Sequence, residues 1–165
     1  MFAATPAAAT AAATARLPVP VYRTTAVVAV GRIYLLGGHD RAGATISDVY
    51  AVNPRTGRAY RAGTLALPTH GAAAAVLDGR ILVFGGASTT VHDAVQLFFP
   101  ATGRTRVIGH MPTVRADVTA AVVGHRAILV GGFNGAGPHP RSPTLQRPDR
   151  LCGDVLSVGL MRLRP

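Results

Sequence analysis

Hydrophobic positions in this chain fall in short runs bounded by glycine, proline and polar turns, a pattern that specifies strands rather than amphipathic helices. One pattern occurs three times. It reads Gly31-Arg-Ile-Tyr-Leu-Leu-Gly-Gly38, then Gly79-Arg-Ile-Leu-Val-Phe-Gly-Gly86, then His125-Arg-Ala-Ile-Leu-Val-Gly-Gly132, with 48 and 46 residues between successive glycine pairs. The flanks recur in phase: Leu17, Leu65 and Met111 each stand 20 residues before the first glycine of a pair. Apolar runs at 24–30, 72–78 and 118–124 precede the motifs, and Asp48-Val-Tyr-Ala-Val-Asn-Pro54 and Asp93-Ala-Val-Gln-Leu-Phe-Phe-Pro100 follow the first two. Agreement at so many offsets marks a repeat array, whose units bury their apolar faces by stacking on neighbours.

Each unit divides into four short strands. An Ala/Val-rich first strand and an Ile/Leu/Val-rich second strand form a hairpin through Val30-Gly31-Arg32 or Asp78-Gly79-Arg80. The third strand, Asp48 to Val52 or Ala94 to Phe99, enters a Pro-x-Thr-Gly turn in which proline fixes φ and glycine accepts a positive φ. The chain then reverses into a fourth strand at Arg58 to Ala62 or Arg104 to Ile108. First and second strands carry few charges and are expected to be buried on both faces, whereas Arg58, Arg61, Arg104 and Arg106 suit a solvated outer edge. Apolar inside and basic outside is the gradient of a propeller blade.

On these residues the chain resembles the kelch family, and bacterial kelch-repeat proteins in particular. The resemblance rests on the pairs Gly37/Gly38, Gly85/Gly86 and Gly131/Gly132 ending the second strand, on third-strand aromatics Tyr50 and Phe98, and on Tyr60 in the fourth strand. It implies an all-β fold, an incomplete kelch-type β-propeller of about two and a half four-stranded antiparallel blades. Blade 1 spans 17–64, blade 2 spans 65–110 and a partial blade 3 spans 111–140, between an Ala/Thr-rich low-complexity leader at 1–16 and an aberrant Pro/Arg-rich tail at 141–165. The sequence departs from the family in lacking tryptophan and in placing Arg106 where the first blade has Tyr60, which implies looser blade cores. The glycine pairs are read as packing devices, because no helix follows them to cradle a phosphate.

The repeat breaks after Gly132. Four prolines between Phe133 and Pro148 preclude a central strand there. Two readings stay open: Asp154 to Val158 as a late third strand, or an unrelated tail, the second preferred because no Pro-x-Thr-Gly turn follows. Closed propellers have about 4 to 8 blades, so the chain reads as a fragment of a larger ring, a protomer that closes by self-association through exposed blade edges, or a truncated product without independent function.

Composition alters this picture little. All 17 basic residues are arginine and all seven acidic residues are aspartate, giving a net charge of +10, with 29 alanines and 19 glycines of the kind written by GC-rich codons. Scattered arginines without aromatic platforms give no specific nucleic-acid partner, only salt-sensitive adhesion to polyanions. The single Cys152 cannot form an internal disulfide. The leader has no charge before Arg16 and no leucine or valine, which disfavours a signal peptide, and no run is long and apolar enough for a membrane span.

No His-x-His or His-x-x-x-His cluster occurs, so no metal or other cofactor is expected. In blade geometry the loops on one face gather Arg23, His39, Asp40, Arg41, His70, His92, Arg115, Asp117 and Asn134, with Thr89 and Thr90, around a pocket mouth. Solvated loops carry the same residue types. The resemblance implies a non-enzymatic binding or scaffold module for protein or carbohydrate. Its alternative is the remnant of a carbohydrate-active enzyme of the mutarotase or oxidase type, although the Tyr-Cys crosslink of kelch oxidases has no counterpart here.

Overall fold

The computed structural model describes residues 14–135 and 156–158, and everything in it is strand, turn or extended connector. Three antiparallel sheets follow one another along the chain. The first has β1 (Thr25–Ala29), β2 (Arg32–Leu36), β3 (Asp48–Val52) and β4 (Ala59–Thr64) in sequential order. The second repeats it with β5 (Ala73–Leu77), β6 (Arg80–Phe84), β7 (Ala94–Phe99) and β8 (Arg104–His110). The third holds β9 (Ala116–Val123), β10 (Arg126–Phe133) and β11 (Leu156–Val158). β11 pairs with β10 through Ala127↔Val158 and Leu129↔Leu156, the place of a third strand. These three residues take the position that the late-third-strand alternative gave to Asp154–Val158; the rest of 136–165 lies outside the described residues.

The blades stack through two cores of alternate parity. Val27, Ala29, Tyr34, Leu36, Val49 and Ala51 of blade 1 meet Ala74, Val76, Ile81, Val83 and Phe98 of blade 2. The other face of blade 2, with Ala75, Leu77, Leu82, Phe84, Val95 and Leu97, meets Val118, Ala120, Ala127 and Leu129 of blade 3. Among the described residues only the middle blade is thus buried on both faces. The expectation that every first and second strand would be buried on both sides fails at the ends. Val28, the counterpart of the packed Val76, is 69% exposed, and Val130, the counterpart of the buried Phe84, is 49% exposed. No described residue stacks against them.

The strands carry the same irregularity in both full blades. Pairing shifts between Val49 and Tyr50 and again between Val95 and Gln96, leaving Ala62 and Ile108 as the extra residues of β4 and β8. Each bulge turns its extra residue toward a core: Ala62 packs against the first and Ile108 against the second. Register also sets the two third-strand aromatics at different positions of their blades. Ile33 faces Val52 while Ile81 faces Phe98, and Leu35 faces Tyr50 while Val83 faces Gln96, so Tyr50 is the counterpart of Gln96. Gln96 is fully buried and receives the Leu67 amide at 2.9 Å, while its own amide donates to the Leu67 carbonyl at 3.3 Å. That side chain fastens the connector between blades 1 and 2.

Glycine pairs supply the closest approach between blades. The Gly38 amide donates to the Thr69 carbonyl at 2.7 Å, and the Gly86 amide donates at 2.7 Å to the carbonyl of Arg115, which stands 46 residues after Thr69. A Cβ on Gly37 would overlap the Thr69 carbonyl, and one on Gly85 the Arg115 carbonyl. This is why two residues without side chains, at positive φ, end each second strand. A Cβ built on Gly131 would meet no described atom within 4 Å.

Candidate functional site

At or just before the start of each first strand stands one residue at positive φ, and the three stand side by side: Arg23 (φ 52), Gly71 (φ 60) and Asp117 (φ 52). They are joined edge to edge. The Gly71 amide donates to the Arg23 carbonyl at 3.2 Å and the Asp117 amide to the Gly71 carbonyl at 2.6 Å. Above Gly71, where a side chain would collide with Asp117, the Arg23 guanidinium reaches across the middle blade to the Asp117 carboxylate at 2.5 Å. Both side chains are about half exposed, so the pair faces solvent.

Next to this pair lies a run of three rings. Tyr22 is 5.1 Å from His39, and His39 is 4.0 Å from His70, centroid to centroid. The loop after β2 brings His39 back beside Tyr22 in an isolated bridge, and His39 bridges on to Thr45. The Thr45 hydroxyl lies 2.9 Å from His70 Nδ1 and orients that ring. Burial lowers the His70 pKa, and nearby His39 and Arg23 push it in the same direction against Asp117. The imidazole is therefore neutral at pH 7, able to stack and to share hydrogen bonds.

Four of the anticipated residues are thus brought together: Arg23, His39, His70 and Asp117. The others are not. Asp40 accepts the Ala42 and Ala44 amides, both at 2.9 Å, and shapes its own loop. Arg41 lies farther out, in a groove with Val19, Pro20, Ile46 and Tyr50. His92 stands where the first blade has Ile46; both ring nitrogens are buried without a hydrogen-bond partner, and burial lowers its pKa. Arg115, the counterpart of Thr69, is buried and donates to the Gly131 carbonyl at 2.9 Å and to Thr113 Oγ1 at 3.2 Å, so it braces the third blade. Asn134 is exposed just beyond β10. On the opposite face His125 pairs with Asp78 at 3.0 Å, joining two hairpin turns.

Sequence reasoning passed over Tyr22 and Thr45. Tyr22 lies 48 residues before His70, the repeat spacing itself, and that offset was the available signal. No group of three metal-ligating side chains occurs among the described residues. Among the described residues no helix is long and apolar enough to cross a membrane.

Antiparallel blades, two of four strands and one of three described strands, stacked in sequence with their first strands against one another, define a β-propeller chain. The Kelch motif matches residues 20–58, covering β1 to β3 and the following turn, so the first blade carries a kelch motif. Among solved structures, that of YjhT superposes with a TM-score of 0.61 at 23% sequence identity. The match covers 74% of this chain and 37% of that one, so the chain spans little more than a third of its length. At this identity the likeness establishes the propeller fold alone. No curated protein matches the chain.

Proposed function

We propose that this kelch-repeat module recognises a carbohydrate through the axial cluster of Tyr22, Arg23, His39, His70 and Asp117. The observation that carries the reading is the contiguous run Tyr22–His39–His70 beside an exposed guanidinium–carboxylate pair. Sugar rings present apolar C–H faces that stack on flat side chains, and vicinal hydroxyls that both donate and accept hydrogen bonds. Arg23 and Asp117 offer these hydroxyls donors and an acceptor, and Tyr22, 50% exposed, offers a face. Recognition is favoured over turnover: the cluster's one carboxylate is engaged by Arg23, and the half-buried His70 imidazole, its pKa lowered, is neutral rather than protonated.

Calorimetric titration with neutral and acidic saccharides tests this. Saturable binding of at least one is expected, weakened by about tenfold or more, or 1.4 kcal/mol, in Tyr22→Ala and Arg23→Ala, and unchanged in Arg104→Ala on the outer edge. Binding that survives both axial substitutions, or no binding by any saccharide, overturns the proposal.

A further inference from the structure

The two end faces of the described blades are complementary to each other. Blade 2 meets blade 3 through Ala75, Leu77, Leu82 and Phe84, and their counterparts in blade 3 are Ala121, Val123, Ile128 and Val130, all wholly or partly exposed. Blade 2 meets blade 1 through Ala74, Val76, Ile81 and Val83, whose counterparts Ala26, Val28, Ile33 and Leu35 are likewise uncovered. One end of the chain therefore carries the apolar side of a blade junction and the other end carries its mate.

Three further features fit the same junction. The connector leucine is nearly buried where it sits between two blades, as Leu65 and Met111 do, but Leu17 is only half-buried. The Val21 carbonyl is the counterpart of the Thr69 and Arg115 carbonyls that receive Gly38 and Gly86. Thr14 already lies against the turn glycine Gly57, with its carbonyl 3.2 Å from where a Cβ would stand, just as Ala62 of a preceding blade lies against Gly103. The leading side of blade 1 is shaped to follow another blade.

We infer that two copies of this chain close head to tail into one ring, the blade 3 face of each covering the blade 1 face of the other. Gly132 of each copy then donates its amide to Val21 of the partner subunit. The three described blades of two copies give six, within the range of about 4 to 8 that closes a propeller. A head-to-tail contact whose rotation closes makes a finite ring with both junctions equivalent. The axial cluster, open on one side in a single copy, then faces a second cluster across the axis.

Sedimentation velocity over a concentration series reads the outcome. A species of twice the 17.0 kDa protomer mass is expected. Val28→Asp and Val130→Asp, both at exposed positions, should each abolish it while circular dichroism stays unchanged. Mixed in equal amounts, the two variants should recover a dimer, because the unaltered blade 3 face of the first meets the unaltered blade 1 face of the second. A chain that stays monomeric at all concentrations, one that forms open-ended polymers, or a Val130→Asp variant that still dimerises overturns the inference. Saccharide binding by a monomeric chain would leave the axial-site proposal standing while this one fails.

Discussion

His92 shows how one side chain can mislead a reading made without coordinates. Its spacing placed it among solvated loop residues, yet the repeat puts it in the slot of Ile46, with both nitrogens buried and unpartnered. Burial lowers its pKa below the ordinary 6.5, so between the folded value and 6.5 the unfolded chain binds a proton that the folded chain refuses. Its contribution to stability is complete above 6.5 and declines as pH falls below it. His70 acts with the same sign. Asp93, whose pKa is lowered by its hydrogen bond from His110, adds a loss in the more acidic window below 3.8. Urea unfolding between pH 7.5 and 5.5 should show stability falling, and His92→Ile should flatten that slope and raise stability at pH 7 by about 1 kcal/mol by removing unsatisfied polar atoms. An unchanged slope would show that the imidazole is solvated. Arg115 misled in the same way: an arginine before a strand reads as surface, but its counterpart Thr69 lies in the tightest part of the blade junction.

At the scale of elements, hairpins and third strands were legible to within a residue or two, because Gly-Gly, Val-Gly and Pro-x-Thr-Gly punctuate them. Two things were not. The bulges at Ala62 and Ile108 carry no turn residue to announce them, and the late strand Leu156–Val158 is separated from β10 by a proline-rich stretch that hides their pairing. Tyr50 and Phe98 looked equivalent only because both are aromatic; aligning Pro54 with Pro100 puts them two positions apart, as the register does. What each glycine contributes can be separated by a matched pair. Gly85 (φ 57) and Gly124 (φ 58) share a backbone conformation, but a Cβ meets the Arg115 carbonyl at the first and nothing within 4 Å at the second. Gly124→Ala should cost about 1 kcal/mol, the strain of positive φ alone. Gly85→Ala should cost about 3 kcal/mol or more in denaturant unfolding, since backbone must move. Equal losses would remove the close approach from the account.

For the whole molecule, the repeat carried the fold and little of the site. The pieces of the axial cluster lie 48 and 46 residues apart along the chain, and only stacking of three blades brings Arg23 to Asp117 over Gly71. Charge, the most conspicuous number in the sequence, proved secondary: Arg58, Arg61, Arg104 and Arg106 are exposed at the outer edge, as the strand pattern implied. What holds the molecule together is the junction between blades, and what it lacks among the described residues is one more junction at each end.

Amide hydrogen exchange at the three paired-glycine positions tests that account most directly. Gly38 and Gly86 each donate to the next connector, whereas Gly132 has no following connector among the described residues to receive it. Slow exchange at Gly38 and Gly86 is expected at every protein concentration, with Gly132 exchanging fast when dilute and becoming protected as the chain associates. Fast exchange at Gly38 and Gly86, equal to that of Gly132 under all conditions, would contradict the stacking on which the fold and both proposals rest.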